Sequence, residues 1–574
     1  MFSGRPEVTL LDPMGSLKKL AIRGASVVIG SCFVALTVSL ALVAGVPASA
    51  QSNNHAHGQL EPAAHEEVDA AYQRGMEFLQ AKRYADALEQ FRFVTQHAPR
   101  IPQGPSGEGI ALVLMGKPQE AIEALRRALE LDPTFWVAQR ELGIVYWSQN
   151  LKEPAAQQLE PIIAIHPDDG AVNIILAQYT FERADYAQAL LYLSRVPAQV
   201  VADPHLSLMQ AEAQLKTGQA AGAGATLERL VGRTGLTNEQ GFELAWMLGQ
   251  AKAFKPAIEV FKQLPADYPD EFRHSYGLAL AYFGTGEYDK CIATLDALVT
   301  HGNTRPEAFS LLGVAEEKSG HTKEAYDAFR RGILTNPTDS LNYLNIATLA
   351  CGHLSYDLAI EILTSGIARI PNSHELFLSR GIANTLGGQF ARAQQDYNQA
   401  IGLAPSDAGS YLAMGLSQLE AGDLDRAIQS FVNSSARDSK DAVSYYFTAE
   451  ALIQKGVSPG TAAFDQAKQA ADRAISLDPG FAYAYRDRAK LELHANETDQ
   501  AISDLESARA ADPKSSSTLY LLGQAYQRKG RTSEAKELLA QVPGAKVQED
   551  REYQRDFLTQ ELVTLSKGDH RGTE

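Results

Sequence analysis

Cysteine is scarce in this chain, with three among 574 residues. That excludes a disulfide scaffold, and with no CxxC, CxxCH or Cys/His cluster there is no basis for zinc, haem or iron–sulfur. HExxH, P-loop and GxSxG motifs are missing too, as is a GxGxxG that opens a helix after a strand. Positive charge is in short supply: Lys plus Arg is 52 against Asp plus Glu at 69, a net of −17. Nothing then offsets repulsion from a nucleic-acid backbone. The expectation is no enzyme, no cofactor, no metal and no nucleic-acid partner. His55, His57 and His65 form a tract with no framework around it. What the chain does have is apolar residues, 45% against 21% charged, enough to bury cores. At about 150 residues per domain the length corresponds to roughly four domains.

The N-terminus reads as a targeting segment. Lys18, Lys19 and Arg23 precede an uncharged run from Gly24 to Val46, followed by Ala48-Ser49-Ala50. A basic region, an apolar region and a small-residue site mark a secretory signal peptide over 1–50, cleaved after Ala50. The run is also long enough to stay as an uncleaved anchor. Either reading exports the remainder across a membrane, to a periplasmic or secreted location. Residues 51–67 read as a flexible linker.

One period organises the rest. Prolines 99, 133 and 167 are 34 residues apart, as are 337, 371 and 405, and Pro269 belongs to the same series. Counting this proline as position 32, the first unit is 68–101 and the register holds without a gap to 408–441. A twelfth unit carries six extra residues near 457–462, and two more units reach 549. Position 8 is Gly or Ala throughout, from Gly75, Gly109 and Gly143 to Gly523. Position 20 is Ala, from Ala87 to Ala535, with Cys291 the exception. Position 24 is large and apolar, as in Phe91, Leu125, Phe329 and Tyr397, with Ala471 the exception. Two amphipathic stretches per unit, with small residues where they meet, predict closely packed antiparallel helices. A hairpin of that kind cannot bury its apolar surface alone, so units must stack.

Leu142-Gly143-Ile144-Val145-Tyr146 and Leu522-Gly523-Gln524-Ala525-Tyr526, with Ala87-x-x-x-Phe91 and Pro99, resemble the tetratricopeptide repeat (TPR) family. The resemblance implies an all-α superhelical solenoid of antiparallel helix pairs over 68–549, about fourteen repeats. Residues 550–574 then read as a capping helix and tail. Repeat five departs from the pattern: Ala220-Ala221-Gly222-Ala223-Gly224 is glycine-rich, which predicts the softest joint, since each glycine costs about 1 kcal/mol against alanine in a helix.

In that family the first helix of each pair lines a groove that binds other proteins or extended peptide segments. The resemblance places Trp147, Phe181, Phe242, Trp246, Tyr276 and Phe283 in the groove, at positions 5, 9 or 12 of repeats three to seven. Tyr446, Phe447, Tyr483 and Tyr520 form a second group. The chaperone carboxylate clamp is missing, because position 5 offers only Arg140 and Arg486 and no unit has Asn at position 9. The implied function is a non-catalytic exported scaffold. The alternative is a docking component of an envelope machine for polysaccharide or protein export.

Overall fold

The computed structural model describes residues 62–265, 268–302 and 305–542. Among them are 29 helices and no strand, in a unit ending at Tyr268 and a second beginning at Pro269. The N-terminal unit holds repeats one to six and the C-terminal unit the remaining eight. The all-α repeat architecture expected from the period is the one observed. The segment 1–50 and the expected cap at 550–574 lie outside the described residues.

Each repeat is an A helix followed by a B helix, in the register read from the sequence. Repeat three has Trp136–Ser148 and Lys152–Ile165, and repeat ten has His374–Leu386 and Phe390–Leu403. The six extra residues of repeat twelve fall in the turn between Ala442–Lys455 and Ala462–Leu477. Two details differ from expectation. The first helix spans Pro62–Gln80, so its first turns take up part of the 51–67 stretch expected to be a flexible linker. Pro62 suits a first helical position, where its missing N–H costs nothing, and Val68 is already buried. In repeat four the B helix stops at Ser194 and Pro197 opens a separate short helix, Pro197–Ala202.

The hairpin closes through three positions. All the position-20 residues, the thirteen alanines and Cys291, are 0% exposed. Burial pushes the Cys291 thiol up to about 12, so it stands in for the alanine as a small inert group. Across from it, position 8 meets position 24. A methyl group on Gly75 would lie 2.7 Å from the Phe91 ring, on Gly381 2.7 Å from Tyr397, and on Gly415 2.5 Å from Phe431. Gly109 and Gly143 stand in the same relation to Leu125 and Leu159 at 2.5 Å, and Gly523 to Leu539 at 2.8 Å. Where position 8 is alanine, position 24 is aromatic in one repeat only: Ala177 goes with Leu193, Ala211 with Leu227, Ala279 with Leu295, Ala347 with Leu363 and Ala489 with Leu505, and Ala449 is matched with Ala471. Repeat six alone combines Ala245 with an aromatic, Phe261.

The ends of the helices follow rules of their own. Position 15, which ends every A helix, is left-handed in all fourteen repeats. Glycine holds it at Gly116, Gly218, Gly286, Gly320, Gly388, Gly422, Gly456 and Gly530. Lys82, Asn150, Ala184, Lys252, Leu354 and Asn496 hold it elsewhere. The next N–H reaches back to the position-11 carbonyl, as from Lys117 to Leu112 at 2.9 Å and Gln389 to Asn384 at 2.7 Å, closing a Schellman turn. Position 34 caps the next A helix: Asp169, Asp407 and Asp441 accept from the N–H groups of Val172, Ser410 and Ser444 at 3.1, 2.9 and 3.1 Å. Each such cap contributes about 1 kcal/mol.

Leu354, 74% exposed and at φ 58°, is a non-glycine occupant of position 15. A left-handed conformation costs an L-residue roughly 1–2 kcal/mol, part of which the extra unfolded-state freedom of glycine offsets. Leu354→Gly is therefore expected to stabilise the protein by up to about 1 kcal/mol. The measurement is the denaturant midpoint, and a lower midpoint in the variant contradicts the assignment.

Candidate functional site

Within each unit, A helices of successive repeats pack on one another while packing between successive B helices is weaker. The A helices therefore line the inner side of the stack. The rings at position 5 and those at positions 9 and 12 differ in burial. This division decides the fate of the rings singled out in the sequence.

Three of them are not groove residues. Phe242 and Tyr276 are 1% exposed and Tyr446 is 2% exposed, and all three stand at position 5. Phe242 lies against Trp246, Phe261 and Tyr268, with ring centroids 5.9, 5.9 and 5.4 Å away. Tyr276 stacks on Phe272 at 5.1 Å. Tyr446 packs against Phe447 at 4.8 Å, against Phe481 at the end of the same repeat at 5.0 Å and, in the next repeat, against Tyr483 at 6.0 Å. They serve as core packing, Phe242 and Tyr276 within their own repeats and Tyr446 also across to Tyr483 of the next. Tyr520, at the same position of the last repeat, is 38% exposed, and no A helix follows it among the described residues.

The rings at positions 9 and 12 are half-buried: Trp246, Trp147, Phe181 and Phe283. Those at position 12 share one arrangement, each with position 17 of its own repeat against it. Lys152 Nζ lies 5.7 Å from the Trp147 ring centre, Tyr186 edges onto Phe181 at 5.4 Å, and Tyr288 lies 5.3 Å from Phe283. Trp147, Phe181 and Trp246 belong to the N-terminal unit, and Phe283 to the C-terminal one. In the N-terminal unit half-buried Ile174 and Leu215 accompany the rings on the A helices of repeats four and five.

Charge on this face is mostly committed. Arg140, at position 5 of repeat three, donates through Nε to Asp169 Oδ2 at 2.5 Å and also pairs with Glu141. A guanidinium held this way is spent on the joint between repeats three and four, in keeping with the missing clamp. Burial holds the Glu141 carboxyl above the usual range, with Arg140 opposing it. Lys152 donates to Glu182 of the next repeat at 2.6 Å, and Tyr179 to Glu153 at 2.6 Å. In repeats twelve and thirteen, Lys490 Nζ lies 2.7 Å from Asp487 Oδ1 and 3.9 Å from Glu450 Oε2. Burial, then the charge of Asp487, pushes the Glu450 carboxyl up to about 7.

Glu212, at position 9 of repeat five, differs from these. It is partly buried and makes no hydrogen bond with a described residue. Burial raises its carboxyl, and Lys216 one turn along offsets this in part. A reading that searched the face for rings passed it over; the signal was a carboxylate at position 9 between Leu208 and Leu215. Among the described residues no cluster of three metal-ligating side chains occurs, and no helix is long and apolar enough to cross a membrane.

The two classes of ring make a direct prediction. Phe242→Ala and Tyr446→Ala should each cost about 3–5 kcal/mol, as core truncations do. Trp147→Ala and Phe181→Ala should cost about half as much, because part of each ring already meets solvent. Denaturant midpoints of the four variants check this, and equal losses contradict it.

Comparison with known proteins agrees with this geometry. Family models described as tetratricopeptide repeat match residues 112–179 and 492–556, 387–442 and 463–516, and 204–229. Cellulose synthase 1 operon protein C of Komagataeibacter xylinus is 24% identical over 444 residues, covering 73% of this chain and 32% of that protein. Intraflagellar transport protein 70A of Homo sapiens is 25% identical over 284 residues, 46% of this chain and 40% of that one. The chain thus spans about a third of the length of these curated relatives. Among solved structures, yeast Tom70 is similar at 16% identity and a TM-score of 0.35, covering 87% of this chain and 96% of that one. YrrB, titled a TPR protein with an unusual peptide-binding site, is similar at 15% identity and a TM-score of 0.29, covering 34% and 97%. With the family models matching at both ends and in the middle of the described repeats, this chain belongs to the tetratricopeptide repeat family.

Proposed function

We propose that this protein is a non-catalytic scaffold that holds segments of other proteins against the inner face of its A helices. The observation that carries the reading is the separation of rings by position. Phe242, Tyr276 and Tyr446 at position 5 are buried in the core, while Trp147, Phe181 and Trp246 keep part of their surface open on one unit. Half-open aromatic groups on a rigid face are the kind of anchor that dominates protein interfaces. The family supports the coarse statement, since tetratricopeptide repeats are protein-interaction folds.

The proposal extends to location and setting. Lys18, Lys19 and Arg23 ahead of an uncharged run and Ala48-Ser49-Ala50 support export across a membrane, to the periplasm or outside the cell. A second reading, a docking component of an envelope export or polysaccharide-secretion machine, is favoured by similarity to a cellulose synthase operon protein over 444 residues. Co-purification separates the two: a synthase or pore partner favours the machine, and soluble clients favour the general scaffold. Mass measurement of the mature N-terminus tests export, with Gln51 the expected first residue if the signal is cleaved.

The surface itself is tested on whatever partner co-purifies. Trp147→Ala with Phe181→Ala should weaken its capture at least tenfold, about 1.4 kcal/mol, while Lys255→Ala on an exposed B-helix position should leave capture intact. Capture unchanged in the double variant contradicts this placement of the surface.

A further inference from the structure

The strongest unexplained group on the inner face is Glu212, and its surroundings say what it lacks. In repeat three, position 17 is Lys152, which neutralises Glu182 of the following repeat at 2.6 Å. In repeat four, position 17 is Tyr186, so the protein provides no cation from that place. Tyr186 is close enough to Glu212 for the carboxylate charge to raise its hydroxyl, after burial. Its ring meets Phe181 at 5.4 Å. On the helix of Glu212 itself, Leu208 precedes it by one turn and Leu215 follows it. Lys216, one turn on, is exposed and makes no ion pair with it within 4 Å among the described residues. The other carboxylates of these repeats that face the A helices have partners: Asp169 and Glu141 share Arg140, and Glu153 accepts from Tyr179.

A partly desolvated carboxylate without a partner lowers the stability of the free protein, because lost hydration is not replaced. It is repaid when a cation arrives. The aromatic edge of Phe181 and Tyr186 and the side chain of Leu215 suit the aliphatic stem of lysine or the plane of arginine. A net charge of −17 draws basic segments toward the chain from a distance.

Resting on the groove reading above, we infer that Glu212, Phe181, Tyr186 and Leu215 form a subsite for one lysine or arginine side chain of a bound protein segment, flanked in that segment by large apolar residues. The flanking residues follow from Ile174 and Trp147, which continue the apolar surface along the A helices of repeats four and three. The surface spans three repeats, more than a small free amine would cover, so the occupant is a stretch of polypeptide.

The test is selection from a phage-displayed random dodecapeptide library on the full protein, followed by titration of the enriched peptides. Enriched sequences should carry Lys or Arg with Leu, Ile, Phe or Trp within two residues. Their affinity should fall at least tenfold in Glu212→Gln. Selection on Glu212→Lys should replace the basic residue with Asp or Glu, a reversal that a merely structural role for Glu212 would not produce. Glu212→Leu should keep the fold, with a thermal midpoint equal to or above that of the parent, and lose the preference for basic peptides. Apolar peptides that lack a basic residue, bound equally by parent and Glu212→Gln but lost in the Trp147→Ala with Phe181→Ala variant, overturn the subsite and leave the groove intact. Enrichment insensitive to both sets of variants, or no enrichment at all, overturns the subsite and the groove together.

Discussion

The close approach of each A helix to its own B helix is what every other feature rests on. It depends on volume shared between two positions sixteen residues apart. Glycine at position 8 admits an aromatic ring at position 24 in four repeats and leucine in three, and alanine there goes with leucine in five of seven. With position 20 fully buried as alanine or Cys291, the two backbones meet with no space for a larger side chain. Interiors packed this densely resist even one added methylene. Because the constraint is internal to the hairpin, it recurs with the same geometry in both units.

Given closed hairpins, the remaining surface is sorted by position. Position 5 goes largely into the core, through the buried rings Phe242, Tyr276 and Tyr446 and through the buried Arg140–Asp169 pair. The rings at positions 9 and 12, Trp246, Trp147, Phe181 and Phe283, stay half-buried. Position 17 then covers one side of each position-12 ring, by Lys152 over Trp147 or Tyr186 against Phe181, so the ring is held while part of it stays open. An anchor held in one orientation loses little freedom on binding, which favours affinity. The same residue sets the local charge: Lys152 pairs with Glu182 of the next repeat, whereas Tyr186 brings no cation to Glu212. Repeats with nearly the same backbone can thus present different chemistry.

Most of the architecture was legible in the sequence because its determinants are local and repeated. The 34-residue spacing of Pro99, Pro133 and Pro167 and the small residues at positions 8 and 20 identify helix pairs and their register without any long-range knowledge. The start of the first helix at Pro62 was missed because residues 51–67 lie ahead of the period and lack its markers. The candidate site was legible in part. Trp147, Phe181, Trp246 and Phe283 remain half-buried, as a groove ring would, but Phe242, Tyr276 and Tyr446 could not be told from them. Their burial comes from packing between residues far apart in sequence, such as Phe242 with Tyr268 and Tyr446 with Tyr483, which position in the repeat does not reveal. Glu212 went unnoticed for a similar reason: what marks it is partial burial without a hydrogen-bond partner among the described residues, which the repeat pattern does not show.

The fit between positions 8 and 24 is tested most directly by a double-mutant cycle at Gly415 and Phe431. Gly415→Ala places a methyl group 2.5 Å from the ring and should destabilise by overpacking, about 1–3 kcal/mol less the roughly 1 kcal/mol that alanine gains over glycine in a helix. Phe431→Leu alone should cost stability by leaving part of the ring's space empty. Combined, they recreate the pairing of Ala347 with Leu363, and the double variant should be more stable than the sum of the single effects by about 1 kcal/mol or more. Denaturant midpoints of the four proteins supply the coupling. Strictly additive losses would contradict shared volume at these positions as the basis of the fold.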